Sequence, residues 1–243
     1  MRRRPAIQAS TLVCACAVLS VAGCADSEPP GKRFRGKSAD RIAAEAVRAT
    51  RDAGSVRVTG AVRREGSAIG VDIRVDARGN CVGRMTGEGG RADIIRTGHT
   101  AYIRGNDKFW ANAAGGREAA GSADRLAGRW VRTPAGQAPI SGVCDKRGFL
   151  TAADGGGAHP KGMSKGETVT VDGKEVLALQ RRTDDERTTV YVAAHGRPYI
   201  VKITQGKGAA KGDLNFTDYN EPVKATPPPA DRVVEPAADL GGA

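Results

Sequence analysis

The chain has 243 residues, a formal charge of +11 and only 4% aromatic residues. Any core must therefore be built mainly from Val, Ile, Leu and Ala, and the length suits one generous domain or two small ones. The basic residues are dispersed, with no aromatic–basic array of the kind that stacks single strands, so nucleic acid is the weakest of the partners a basic chain suggests and none is expected.

Arg2, Arg3 and Arg4 open the chain, and an uncharged apolar run from Ala9 to Val21 follows. Together they form an export signal too short to span a ~30 Å hydrocarbon core as a permanent helix. The run ends in Val21-Ala22-Gly23-Cys24, which fits a bacterial lipobox. In that motif the cysteine thiol takes a diacylglycerol and the chain is cut before it. Residues 1–23 are read as signal peptide, Cys24 as the lipidation site, and the extracytoplasmic face of the cell membrane as the location. Three arginines leave with residues 1–23, which hold no acid, so the charge falls from +11 to +8.

Five cysteines then sort by position. Cys14 and Cys16 depart with the signal and Cys24 carries the anchor, which leaves Cys81 and Cys144 in an oxidising compartment. A disulfide between them is expected, closing a loop of about 64 residues and stabilising by roughly 4 kcal/mol. Metal binding is the poorer alternative, because these cysteines and His99, His159 and His195 show no ligand spacing. No metal or cofactor is expected.

Residues 24–37, rich in Pro, Gly, Lys and Arg, read as lipidated cysteine plus flexible tether. Its cluster Lys32-Arg33-Phe34-Arg35 lies near the anchor and suits anionic head groups, although a solvated spacer explains it equally well. From Ser38, a fit N-cap, to Ala53 the pattern predicts a helix with Ile42, Ala43, Ala46, Val47 and Thr50 on one face.

Alternating strands come next. Val56, Val58 and Val62 alternate with polar residues, as do Ile69, Val71, Ile73 and Val75, and shorter runs follow at 81–86, 91–96 and 100–104. Gly-containing turns separate them, giving a five-strand meander with one face in and one face wet. From Gly105 to about Gly166 the pattern breaks, with short helices expected around 122–126 and 145–153 and a loop at Gly155-Gly156-Gly157. A second meander follows: 168–171 and 174–180 around Asp172-Gly173, then 188–193, 198–204 and 211–217. Residues 227–243, opening with three prolines, read as a loose tail.

No catalytic constellation stands out. Gly162-Met163-Ser164-Lys165-Gly166 matches G-x-S-x-G, but a nucleophile elbow needs a strand before it and a helix after it, and neither is present. Asp184, Asp185 and Glu186 sit in a hairpin tip, where acidic residues are ordinary turn formers. Trp110 and Trp130 suit core packing, with Trp130-Val131 as a short buried strand; a ligand-lining role is the alternative.

The lipobox, the amphipathic helix, the two meanders around a helical middle and the ending Phe216-Thr217-Asp218-Tyr219-Asn220-Glu221-Pro222-Val223 resemble actinobacterial lipoproteins of the LolA/LppX/LprG-like lipoprotein-carrier superfamily. The resemblance covers residues 38–226. It implies an α+β fold, a half-open curved antiparallel sheet (an unclosed barrel) with helices packed on its concave face. Between them would lie an apolar cavity that relatives use to shield acyl chains. It requires no enzyme chemistry and carries over no particular ligand-binding residue. The expected function is binding or shuttling a lipid or lipid-linked envelope precursor as a monomer. The rival is an envelope interaction module with a filled core.

Overall fold

Ser38 starts the first helix as its sequence demands. The Ser38 hydroxyl accepts from the Arg41 amide at 3.3 Å and Asp40 sits in the first turn, so an orphan donor and the helix dipole are both answered. The resulting α1 (Ala39–Arg51) buries Ile42, Ala43, Ala46, Val47 and Thr50 on one face. The computed structural model describes residues 32–64, 67–113, 126–138, 141–154, 161–183, 187–207 and 210–235. Cys24, the Asp184–Glu186 cluster, the glycine run 155–157 and most of the expected 122–126 helix lie outside them.

The first meander comprises β1 (Ser55–Arg64), β2 (Ser67–Asp76), β3 (Cys81–Gly87), β4 (Gly90–Thr97) and β5 (Thr100–Gly105). Its β2–β3 turn is closed by Asp76, whose carboxylate accepts from the amides of Arg78 and Asn80 at 2.9 and 2.8 Å. After β5 comes α2 (Asp107–Ala113), then β6 (Trp130–Pro134) and α3 (Lys146–Asp154). The second meander comprises β7 (Ser164–Val171), β8 (Lys174–Arg182), β9 (Arg187–Ala193), β10 (Ile200–Lys207) and β11 (Ala210–Thr217). At the tip of β7–β8, Asp172 and Gly173 both hold positive φ, 48° and 74°, as a type I′ turn requires.

Strand β11 pairs with β1, which merges the two meanders into one sheet of twelve strands. Its order is β12-β6-β5-β4-β3-β2-β1-β11-β10-β9-β8-β7, with β12 (Val233–Val234) and β7 as free edges. The sheet is unclosed, and one pair departs from the antiparallel expectation. Val233 and Val234 run parallel to Trp130 and Val131, because the chain reaches the β6 edge only after a long extended return from β11.

The fold is longer at both ends than the 38–226 reading. Phe34, placed in the tether by its basic neighbours, is buried, and its carbonyl accepts from Lys165 Nζ at 3.1 Å. An aromatic ring outweighs the solvation of the residues beside it once an apolar slot is available. Residues 233–235, read as part of a loose tail, are likewise held, by the β12 pairing and by Arg132 Nη1 on Glu235 at 2.9 Å.

Candidate ligand-binding face

Period-two alternation puts the two faces of the sheet under different chemistry. On the core face one cross-strand row runs through Val131, Ile103, Ile94, Gly83, Ile73 and Val58 and ends on Phe216. A second runs through Leu214, Gly60, Val71, Met85, Ala92 and Gly105.

Two groups of helices cover this face. The first, α1 and α3, pack on each other and against β9 and β10. The second, α2, lies against β4 and β5, and the 3-10 turn Ser141–Cys144 touches both β2 and α3 and so bridges towards the first group. Ile69, Met85, Val143 and Met163 pack against the core but stay only partly buried.

Helix α2 owes its position to two local features. Asn106 caps it, its side-chain oxygen accepting from the amides of Phe109 at 2.9 Å and Arg91 at 3.0 Å. Gly105 then allows close approach: a Cβ there would fall 2.3 Å from the Phe109 ring and 2.9 Å from Trp110 Nε1. Phe109 and Trp110 meet edge to face with centroids 5.1 Å apart. Trp110 is core, while Trp130 belongs to a strand but turns its ring to the wet face, where Arg104 lies 4.9 Å from the centroid.

Cys81 and Cys144 are disulfide-bonded with Cα atoms 5.5 Å apart, tying the start of β3 to the turn before α3. Lys146, just beyond, donates to the Ala53 carbonyl at 2.5 Å, and burial lowers the pKa of its ammonium. Ser164 begins β7 and its hydroxyl donates to the Gln180 carbonyl, so no elbow is formed at G-x-S-x-G. Among the described residues no three His, Cys, Asp or Glu side chains converge as metal ligands, and no helix is long and apolar enough to cross a membrane.

The opposite face is wet and laced with charge. Asp93 holds Arg84 and Arg104, each at 2.9 Å, and Asp72 holds Arg57 at 2.8 Å. Burial pulls the Asp93 carboxyl upward, but hydrogen bonds from Arg104 and Arg84 outweigh it and hold the group below its ordinary value. A depressed carboxyl stabilises the fold fully above its unfolded value of about 3.9, and that stabilisation fades as pH falls through the folded value. Asp93→Asn is therefore expected to cost roughly 0.5–1 kcal/mol at neutral pH, discounted for the exposed arginines. The cost should shrink at about pH 3. Urea midpoints at the two pH values check this, and an undiminished deficit in acid would refute it.

The ending that carries the family resemblance proves to be a clasp. Asp218 lies 3.4 Å from Arg74 and 3.7 Å from Arg57. Tyr219 donates to the Ile200 carbonyl at 2.6 Å, and Asn220 Oδ1 accepts from the Gly54 amide at 2.8 Å.

The chain aligns with the crystal structure of LprF from Mycobacterium bovis with a TM-score of 0.51. That alignment covers 78% of this chain and 96% of LprF at 16% identity. The chain has the LolA/LppX/LprG-like fold. The Mycobacterium tuberculosis lipoprotein LppX aligns over 77% of this chain and 98% of its own, with 14% identity and a TM-score of 0.49. No family model and no curated protein sequence matches the chain. In this LprF-like sheet the twelve strands stay open, and the apolar face lies under helices that come from two distant parts of the chain.

Proposed function

We propose that the protein binds a hydrophobic, acyl-bearing molecule between the apolar face of its sheet and the helices above it. It does so as a non-enzymatic monomer, tethered through lipidated Cys24 to the extracytoplasmic face of the membrane. The observation that carries this reading is the division of the cover. Two helical groups, bridged by the turn Ser141–Cys144, rest on different strands of one continuous apolar face, and Ile69, Met85 and Met163 pack against it only partly buried. Separating such covers by the width of an acyl chain breaks no backbone ladder. Each methylene taken from water stabilises the complex by about 0.8 kcal/mol.

A second reading is favoured by the complete burial of Val58, Ile73 and Phe216 on the central strands. A core already filled there leaves an envelope interaction module that presents its surface to a protein or wall polymer. Native mass spectrometry separates the two. A lipid carrier retains lipid at defined stoichiometry and loses it on organic extraction. A single apo mass, unchanged by added lipid, overturns the carrier reading in favour of the module.

The anchor has its own test. Cys24→Ser is expected to shift the protein from the membrane fraction or to leave the 23-residue signal uncut. A processed variant that still pellets with membranes would remove the anchor from the proposal.

A further inference from the structure

Among the described residues one buried side-chain polar atom has no hydrogen-bond partner, the indole Nε1 of Trp110. The residue is 6% exposed. Buried donors are nearly always paired, and each exception calls for a reason. Packing supplies none here. A phenyl ring at position 110 would still offer Phe109 an aromatic neighbour without burying a donor.

The placement of the atom suggests the reason. Nε1 lies 2.9 Å from where a Gly105 Cβ would be, on the core face. Gly105 ends the row that passes through Met85 and Ala92, and Met85, two strands away, is only partly buried. Ala92, between them, is fully buried, so the donor lies inside the core beneath α2, two strands in from the partly buried Met85.

We infer that the Trp110 N–H receives the carbonyl oxygen of an ester-linked acyl ligand, fixing the polar end of that ligand beneath α2. This rests on the proposed lipid-binding function and adds where and how the ligand is oriented. An indole nitrogen only donates, so its partner is an acceptor. That acceptor is neutral. The buried polar side chains among the described residues are Thr50, Ser55, Thr188 and Thr189, none of them cationic, so a carboxylate at the indole would have no fully buried charge partner among those residues. An ester carbonyl meets both conditions, and a free fatty-acid carboxylate does not.

The test uses the full-length chain carrying Cys24→Ser, so that no anchor acyl chain competes. Displacement of a bound hydrophobic dye is measured with methyl laurate and with pentadecane, which match in length but not in polarity. Trp110→Phe is expected to weaken methyl laurate about tenfold, the scale of one buried hydrogen bond, and pentadecane less than about twofold. In the unmutated indole, the N–H proton resonance should move downfield with methyl laurate and stay in place with pentadecane. This readout does not depend on how the variant folds. Equal weakening of both probes, or an unmoved resonance, overturns the inference while lipid binding stands. A Cys24→Ser chain that binds neither probe removes the lipid-binding function, and the inference with it.

Discussion

Replacing Cys81 and Cys144 together by serine is expected to lower the stability of the domain by about 4 kcal/mol. The bond spans a sequence separation of 63 residues, a stretch that includes β3, β4, β5, α2 and β6. Without it the unfolded chain regains the conformations that so long a closed loop forbids. The folded chain also loses something, since both sulfurs sit where water does not reach: Cys81 is 0% and Cys144 3% exposed. Two serine hydroxyls placed there would have to find partners. The local consequence is directional. The turn Ser141–Cys144 would be released from β3, and with it the entry to α3, which packs on α1. Urea unfolding of the oxidised protein, the reduced protein and the double variant provides the check. Reduction and mutation should agree within about 1 kcal/mol, and a loss below about 1 kcal/mol for both would show that the loop is held by other contacts.

Much of this architecture is legible in the sequence because it is local. The alternation of Val71, Ile73 and Val75 fixes both that β2 is a strand and which of its residues face inward. Asp172-Gly173 marks its hairpin because few residue pairs tolerate two positive φ angles in succession. The expected helix from Ser38 to Ala53 lies within two residues of the observed ends of α1.

Illegible features depend on residues far apart in the chain. That Val233 and Val234 lie beside Trp130 and Val131 follows from the shape of the whole sheet, and a two-residue strand has no pattern of its own. Phe34 sits among basic residues and reads as spacer until the slot it fills has been built by other segments. Helix α2 left one trace, the Asn106-Asp107 pair that caps it, but its seven residues are too few to show a period. The orphan nitrogen of Trp110 belongs to this second class. The residue type says that a donor exists, whereas only the assembled core shows that nothing answers it.

The motif at the end of β11 was visible as a pattern before its role was, and that role predicts the second large effect. Tyr219→Ala is expected to cost about 3 kcal/mol, the bottom of the range for removing a large aromatic ring, because this ring is only partly buried. The Tyr219 ring stacks on Tyr199 with centroids 4.0 Å apart and planes within 5°. Its hydroxyl donates to the Ile200 carbonyl and lies 3.4 Å from the Thr50 hydroxyl, which accepts from the Ile200 amide at 3.0 Å. Burial raises the phenol well above its ordinary value, and the Thr50 contact offsets only part of this, so the hydroxyl is a donor at neutral pH. Tyr219→Phe keeps the ring and leaves the Ile200 carbonyl short of a partner, at a cost of about 1 kcal/mol. Urea midpoints for the two variants separate ring from hydroxyl, and equal losses would assign the whole effect to the hydrogen bond. Thr50 closes α1 and Ile200 opens β10, so these contacts hold the end of the helix against the sheet. A cover pinned at this end can separate from the apolar face only at its other parts. Loosening the pin in Tyr219→Ala should therefore raise hydrogen exchange along the last turn of α1 before it affects the β2–β3 hairpin.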